Sequence, residues 1–181
     1  KMGLFEKLDP PRVPNLKDVH DVAKDRESIG VMQGFQAQGL QYASRVFKDK
    51  GWAAPASWYD LWKPEYKGLV GMPPISYSVG LQFFIATIHA LGGDEKNPAD
   101  VDRGFEKMKE LKPSIVQQPA DAGAIQQLLE RGDIALVPLW DGRAHGLAAA
   151  GLPIGFSYPN KPGPVASGAP MAIAKGSQNR A

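Results

Sequence analysis

The 181-residue chain contains no cysteine. That removes disulfide frameworks, thiolate metal sites and a cysteine nucleophile, and it leaves the compartment open. Charge of one sign is scarce as well. Lys and Arg number 21 against 19 Asp and Glu, a formal net charge of +2. So small an excess, with no block of basic residues, excludes nucleic acid as an expected partner. Long apolar runs are missing too: the longest helical one, near Leu81 to Leu91, is too short and too polar to span a bilayer. The phosphate-binding glycine loop, the G-x-S-x-G elbow, the H-E-x-x-H helix and the dinucleotide fingerprint do not occur. Nothing in the motifs argues for catalysis, and neither a cofactor nor a metal is expected. What remains, 43% hydrophobic and 22% charged residues, is the composition of an ordinary globular protein. The length suits one domain or one and a fraction.

The most informative stretch present is Gly132-Asp133-Ile134-Ala135-Leu136-Val137-Pro138-Leu139-Trp140-Asp141-Gly142-Arg143. Ile134 to Leu139 is nearly continuous apolar chain bounded by glycines, which reads as a strand covered on both faces, in the middle of a parallel sheet. Trp140 and Asp141 fall where that strand meets the next helix, and Asp141 is expected to be its N-cap. Ligands of open α/β sheets bind beyond the carboxyl ends of strands, so this elbow is the first candidate site.

Taken in order, residues 1–30 are charged and proline-rich and read as irregular surface chain. Ile29 to Met32 looks like strand, Gly34 to Gly39 like a flexible polar connection, and Leu40-Gln41-Tyr42 like strand again. Ser57 and Asp60 form a capping-box pair at the start of a helix that Lys63-Pro64 cuts short. Gly68 to Met72 reads as a strand broken by Pro73-Pro74. Next comes a helix with Leu81, Phe84, Ile85, Ile88 and Leu91 on its apolar face, ended by Gly92-Gly93. Asn97-Pro98 opens another helix, with Val101, Phe105, Met108 and Leu111 along it. A third, Pro119 to Arg131, stops at Gly132. After the strand described above come a small helix over Ala144 to Ala150, a strand over Pro153 to Pro159, a turn-rich link over Gly163 to Ser167 and a last strand over Met171 to Ala174. The alternation of strand and helix from about residue 57 onward is α/β architecture. Both ends read as interrupted, the first just after a helix and the last just before one, so a piece of a longer protein is expected.

Two strand-to-helix elbows could hold chemistry, Pro74-Ile75-Ser76-Tyr77-Ser78 and Trp140-Asp141-Gly142-Arg143. Each places small polar groups at a helix N-terminus, where free N–H groups and the dipole favour an anionic or polar ligand. Ser76, Ser78 and Asp141 are equally read as plain caps, Trp140 as core, and Arg143 as a solvated surface cation. Asp141 and His145 stand one helical turn apart. That spacing fits an ordinary i,i+4 pair better than a catalytic dyad.

The order of motifs is similar to that of the extracellular solute-binding proteins of ABC importers, in the group with polyamine, ferric-ion, thiamine and phosphonate binders. The matching pieces are Gly34 with Gly39-Leu40-Gln41-Tyr42, then Ser57-Trp58-Tyr59-Asp60-Leu61-Trp62-Lys63-Pro64-Glu65-Tyr66-Lys67-Gly68. They continue with Gly132-Asp133-Ile134-Ala135, Trp140-Asp141-Gly142, Gly151-Leu152-Pro153-Ile154, Tyr158-Pro159 and Met171-Ala172-Ile173-Ala174-Lys175-Gly176. The resemblance implies a periplasmic-binding-protein type II fold, chiefly its second lobe. Residues 1–33 would be the tail of the first lobe, 34–168 the second lobe, and 169–181 the return strand, with the rest of the first lobe and the C-terminal helices absent. It implies a non-enzyme that captures a small solute by hinge closure and delivers it to membrane permease subunits. The location implied is the periplasm, or the outer surface by a lipid anchor in a Gram-positive source, after removal of an export signal. The polyamine binders carry carboxylates at the elbow matching Ser76 to Ser78, and an aromatic and an acid near the hinge. This chain has no acid at that elbow, and Ser167 and Ala169 near the hinge, so an anionic or zwitterionic solute is expected. Its implied contacts are Phe35, Gln36, Ser76, Tyr77, Ser78, Trp140, Asp141, Arg143 and Ser167. A ligand-sensing domain of a regulatory protein is the alternative, and a hydrolase using Asp141 and His145 a remoter one. Exposed hinge strands would leave the fragment open to self-association.

Overall fold

The computed structural model describes residues 3–25 and 27–178. Lys1 and Met2 of the opening, Arg26, and residues 179–181 of the expected return strand lie outside them. The chain divides into a smaller compact unit, residues 1–36 with 166–181, and a larger one, residues 37–165.

In the smaller unit three short 3-10 turns, Pro10–Arg12, Pro14–Asp18 and Asp21–Ala23, carry the charged opening chain. Two of them start on proline, whose fixed φ suits a first helical position. The strand β1, Gly30–Ala43, begins here, and β6, Val165–Ala172, pairs with it. Gly30 is required for that pairing, since a Cβ there would stand 2.5 Å from the Met171 carbonyl oxygen.

β1 corrects the expectation of two strands separated by a flexible connection. It runs unbroken for 14 residues. Residues Gln38 to Tyr42 are held in register by β4, Leu136–Trp140, and Leu40 to Ala43 by β5, Ile154–Ser157. Its polar glycine-bounded composition therefore does not make a loop: Gln38 and Gly39 are laddered to β4, and β6 pairs with the strand as well. Gly39 fits where a Cβ would meet the Ser157 carbonyl at 2.5 Å and the Phe156 ring at 2.6 Å. The expected link over Gly163 to Ser167 is likewise already strand from Val165 onward.

The larger unit is organised on a mixed sheet in the order β3-β2-β4-β1-β5, where β2 is Val70–Gly71 and β3 is Ile115–Gln117. β2 is parallel to both β3 and β4, whereas β1 is antiparallel to β4 and β5. The core is thus parallel as expected, with the long strand added antiparallel beside it. β3 has no counterpart in the sequence reading: three residues between Pro113 and Pro119 are too few for a periodic signal.

Helices cover both faces. α1, Ser44–Lys50, ends on Gly51 in the left-handed region at φ 67°. α2 is Ser78–Ala90, α3 Pro98–Lys109, α4 Ala122–Arg131 and α5 Asp141–Ala149. Leu136 enters one apolar cluster, with Trp58, Leu61, Tyr66, Phe83 and Leu111, while Val137 and Leu139 enter another, with Val79, Ile125, Leu129 and Ile154. That alternation places β4 between two cores, and each side chain so buried is worth about 1.5–3 kcal/mol. On α2 the spacing misplaces the face in part. Leu81 is 47% exposed, while Phe83, Ala86 and Thr87 are buried. α2 is packed by β4, by α3 and by the 3-10 turn Trp58–Trp62, so its buried face is wider than one stripe. Phe105 of α3 is also largely exposed. The capping box forms as read, although it starts a 3-10 turn rather than an α-helix: Ser57 Oγ accepts from the Tyr59 amide, and Asp60 accepts from the amides of Ala56 and Ser57.

Candidate functional site

β2 and β4 are neighbours and parallel, with Val70 opposite Leu136, so the turns that leave their carboxyl ends emerge on one edge of the sheet. The first turn runs through Pro73 to Tyr77 into α2, the second passes directly from Trp140 into α5. The rings of Tyr77 and Trp140 meet edge to face with centroids 5.7 Å apart. The two elbows therefore share one rim, and the contact between them is aromatic rather than aliphatic filling.

The α2 elbow depends on close backbone packing. A Cβ on Gly80 would stand 2.5 Å from the Pro73 carbonyl oxygen and closer still to that of Pro74, so only glycine lets the first turn of α2 settle on this proline pair. Ser76 and Ser78 were candidate caps, and neither is one. The N-cap of α2 is Tyr77 and makes no side-chain cap bond. Gly80 and Leu81 donate their amides to the Tyr77 carbonyl. The amides of Ser78 and Val79 occupy the first two helical positions, which leaves them without an intrahelical acceptor. Both serine hydroxyls are exposed. This elbow thus offers free donors at the positive end of a 13-residue helix.

At the α5 elbow the expectation that Asp141 caps the helix is also corrected: Trp140 holds the N-cap position and Asp141 is the first helical residue. Its carboxylate does something else. Oδ1 accepts from the Gly142 amide at 2.7 Å and from the Ala37 amide of β1 at 3.3 Å, and Oδ2 accepts from the Tyr158 hydroxyl at 2.9 Å. Asp141 therefore ties the elbow to β1 and to the chain beyond β5. Both of its oxygens accept from these groups. His145 instead lies with its ring 5.7 Å from Phe156. Trp140 is half-buried, and its indole N–H donates to Gln82 Oε1 at 2.9 Å.

Electrostatics connect the elbows. Burial raises the Tyr77 hydroxyl above its ordinary value, the Asp121 carboxylate adds to the rise, and the Arg143 guanidinium opposes it. Arg143 is exposed, and its charge is felt at the Tyr77 elbow. The Tyr158 hydroxyl is raised by burial and by the hydrogen bond and charge of Asp141. Among the described residues no group of three or more His, Asp or Glu is placed to hold a metal ion. No described helix is long and apolar enough to cross a membrane.

Of the nine residues singled out in the sequence, the structure brings together Ser76, Tyr77, Ser78, Trp140, Asp141 and Arg143. Phe35 and Gln36 lie on β1 and Ser167 on β6 within the smaller unit, Phe35 exposed and the other two half-buried. Sequence reasoning missed three partners of the rim: Gln82, Tyr158 and Gln38, whose Nε2 donates to the Val79 carbonyl at 2.6 Å. Only the helical offset of Gln82 from the elbow was legible in advance. The other two arrive through strand register.

Comparison with known proteins adds a lineage to this geometry. A family model described as bacterial extracellular solute-binding protein matches residues 1–181. The spermidine/putrescine-binding periplasmic protein of Escherichia coli (strain K12) is 29% identical over 172 residues, covering 90% of this chain and 46% of that protein. The gamma-aminobutyric acid-binding protein of Pseudomonas aeruginosa is 29% identical over 184 residues, covering 99% of this chain and 49% of its own. The crystal structure of an ABC transporter substrate-binding protein from Bradyrhizobium japonicum USDA 110 superposes with a TM-score of 0.78 at 28% identity, over 98% of this chain and 52% of that one. The chain spans about half the length of the curated relatives it matches.

Proposed function

The chain belongs to the bacterial extracellular solute-binding proteins, and from that membership we propose that it is the solute-capturing lobe of an ABC importer's binding protein. It works outside the cytoplasmic membrane, in the periplasm or on the cell surface. It takes up a small anionic or zwitterionic solute at the rim of Ser76, Tyr77, Ser78, Trp140, Asp141 and Arg143. Closure on the solute shifts the population toward the form that the membrane permease recognises. No bond is made or broken in this cycle.

The observation that carries the reading is the meeting of Tyr77 and Trp140 at the ends of two adjacent parallel strands, beside the unused amides of Ser78 and Val79. Six groups can donate, two amides, three hydroxyls (which also accept) and one guanidinium, while the Asp141 carboxylate is already engaged by Ala37, Gly142 and Tyr158 and the Asp121 carboxylate, felt at Tyr77, accepts from the Ala124 amide. A polyamine would bring two or more ammonium groups to a rim whose own carboxylate is engaged, with Asp121 the further acid whose charge reaches Tyr77, and unpaired buried charge costs several kcal/mol. A carboxylate or phosphate end suits the same groups. Of the two named relatives, one is named for the polyamines spermidine and putrescine and the other for gamma-aminobutyric acid, a zwitterion. The chemistry of the rim favours the second kind.

A thermal-shift screen of the full-length protein tests this. Gamma-aminobutyric acid, butyrate, a sugar phosphate, a phosphonate, putrescine and thiamine form the panel. Stabilisation by a carboxylate, phosphonate or phosphate is expected. Stabilisation by putrescine alone would overturn the proposed charge of the solute, and stabilisation by none would count against the site.

A further inference from the structure

Gln38 is fully buried, yet its side-chain oxygen has no hydrogen-bond partner. Its orientation is fixed by chemistry: the Val79 carbonyl 2.6 Å away can only accept, so the amide nitrogen must face it and the oxygen must face elsewhere. Gln38 is also the register partner of Trp140 across the β1–β4 ladder. It is thus bonded to the first turn of α2 and paired with the last residue of β4. Its unused acceptor therefore belongs to a side chain held between the start of α2 and the end of β4. An orphaned buried acceptor is rare in a settled core and costs stability unless something fills it.

We propose that Gln38 Oε1 is the acceptor for an N–H donor of the bound solute, and so a specificity-determining residue of the site. This rests on the solute-binding reading above and narrows it to solutes that carry a donor a few bonds from their anionic end. The anionic end sits on the amides of Ser78 and Val79, and the donor reaches Gln38 as the Tyr77 and Trp140 rings part. That adds an amide acceptor to a rim whose backbone amides and guanidinium can only donate.

Isothermal titration of the full-length protein with three probes provides the test: gamma-aminobutyric acid, butyrate (the same acid without the donor) and putrescine. Wild-type protein is expected to prefer gamma-aminobutyric acid to butyrate by about tenfold or more. Gln38→Met, close in volume but without an acceptor, should weaken gamma-aminobutyric acid more than butyrate and so abolish most of that preference. Equal binding of the two acids by wild-type protein overturns the proposal without recourse to any variant. So does a Gln38→Met protein that loses both acids equally, the mark of a purely positioning role through Val79, or that loses neither. Should wild-type protein take putrescine but no acid, the anionic-end reading fails. Gln38 as an acceptor would then survive only if Gln38→Met weakens putrescine. Binding of none of the three overturns the Gln38 proposal, while the phosphate and phosphonate members of the thermal-shift panel still decide the reading it rests on.

Discussion

Replacing Asp141 by alanine should loosen the α5 elbow by an amount that its partners allow to be worked out. The carboxylate receives three hydrogen bonds, from Gly142 N at 2.7 Å, Tyr158 OH at 2.9 Å and Ala37 N at 3.3 Å. Tyr158 is 47% exposed, so water replaces much of its bond when the acid is lost. The Gly142 amide is exposed too, and the Ala37 bond is long. The sum is about 1–2 kcal/mol, comparable with the loss of a helix cap. For a protein of this size that lowers the melting temperature by roughly 2–8 °C. Asp141→Asn, which keeps one acceptor oxygen, should lose less. Tyr158→Phe should cost under about 0.5 kcal/mol, and the double variant less than the sum of the two. The tyrosine adds a pH signature. Its hydroxyl is held above the ordinary value, so the bond contributes fully below about pH 10 and is lost as pH rises through the raised value. The gap between wild type and Tyr158→Phe should therefore close in alkali. Denaturant unfolding of the full-length protein, followed by tryptophan fluorescence, reads wild type and the four variants. An Asp141→Ala protein with an unchanged midpoint would refute the argument that this carboxylate holds the elbow to β1.

Other outcomes follow from the same structure. Burial raises the Asp60 carboxyl, but the Ala56 amide, the Lys63 ammonium and the Ser57 amide outweigh it and hold the group below its ordinary value. Its contribution is therefore present above about pH 4 and lost as pH falls through the lowered value. Asp60→Ala should cost about 2–3 kcal/mol at neutral pH in a urea melt and flatten the acid limb, whereas Lys63→Ala should cost under about 1 kcal/mol. Gly80→Ala must push the first turn of α2 off the Pro73 and Pro74 carbonyls. It should destabilise by about 1–3 kcal/mol and weaken solute binding, as a melt and a titration on the same sample would show. Gln41 is fully buried with neither side-chain atom partnered. Gln41→Met should stabilise by about 1–3 kcal/mol, read as a higher unfolding midpoint; a lower one would reveal a partner such as a buried water.

The sheet and the rim differ in how far the sequence discloses them. Ile134 to Leu139 is legible because burial on both faces writes itself as a continuous apolar run, and Gly132, at φ 78°, marks where α4 must stop. The two elbows are legible because turn chemistry is local. Register is not local. Gln38 reads as part of a polar connection until Trp140 is found opposite it, and Tyr158 reads as a strand end until its hydroxyl reaches Asp141. Caps mislead for a related reason: Asp141 has the composition of an N-cap, but a competing set of donors from β1 and Tyr158 claims its oxygens.

The central claim is that the Tyr77–Trp140 rim holds the solute. Equilibrium dialysis of the full-length protein, with whichever solute gives the largest thermal shift, measures it directly on wild type and on Trp140→Ala. Loss of affinity by about tenfold or more is predicted, since an aromatic wall and its ordered elbow go together. A Trp140→Ala protein that remains folded and binds that solute as tightly as wild type would contradict the account.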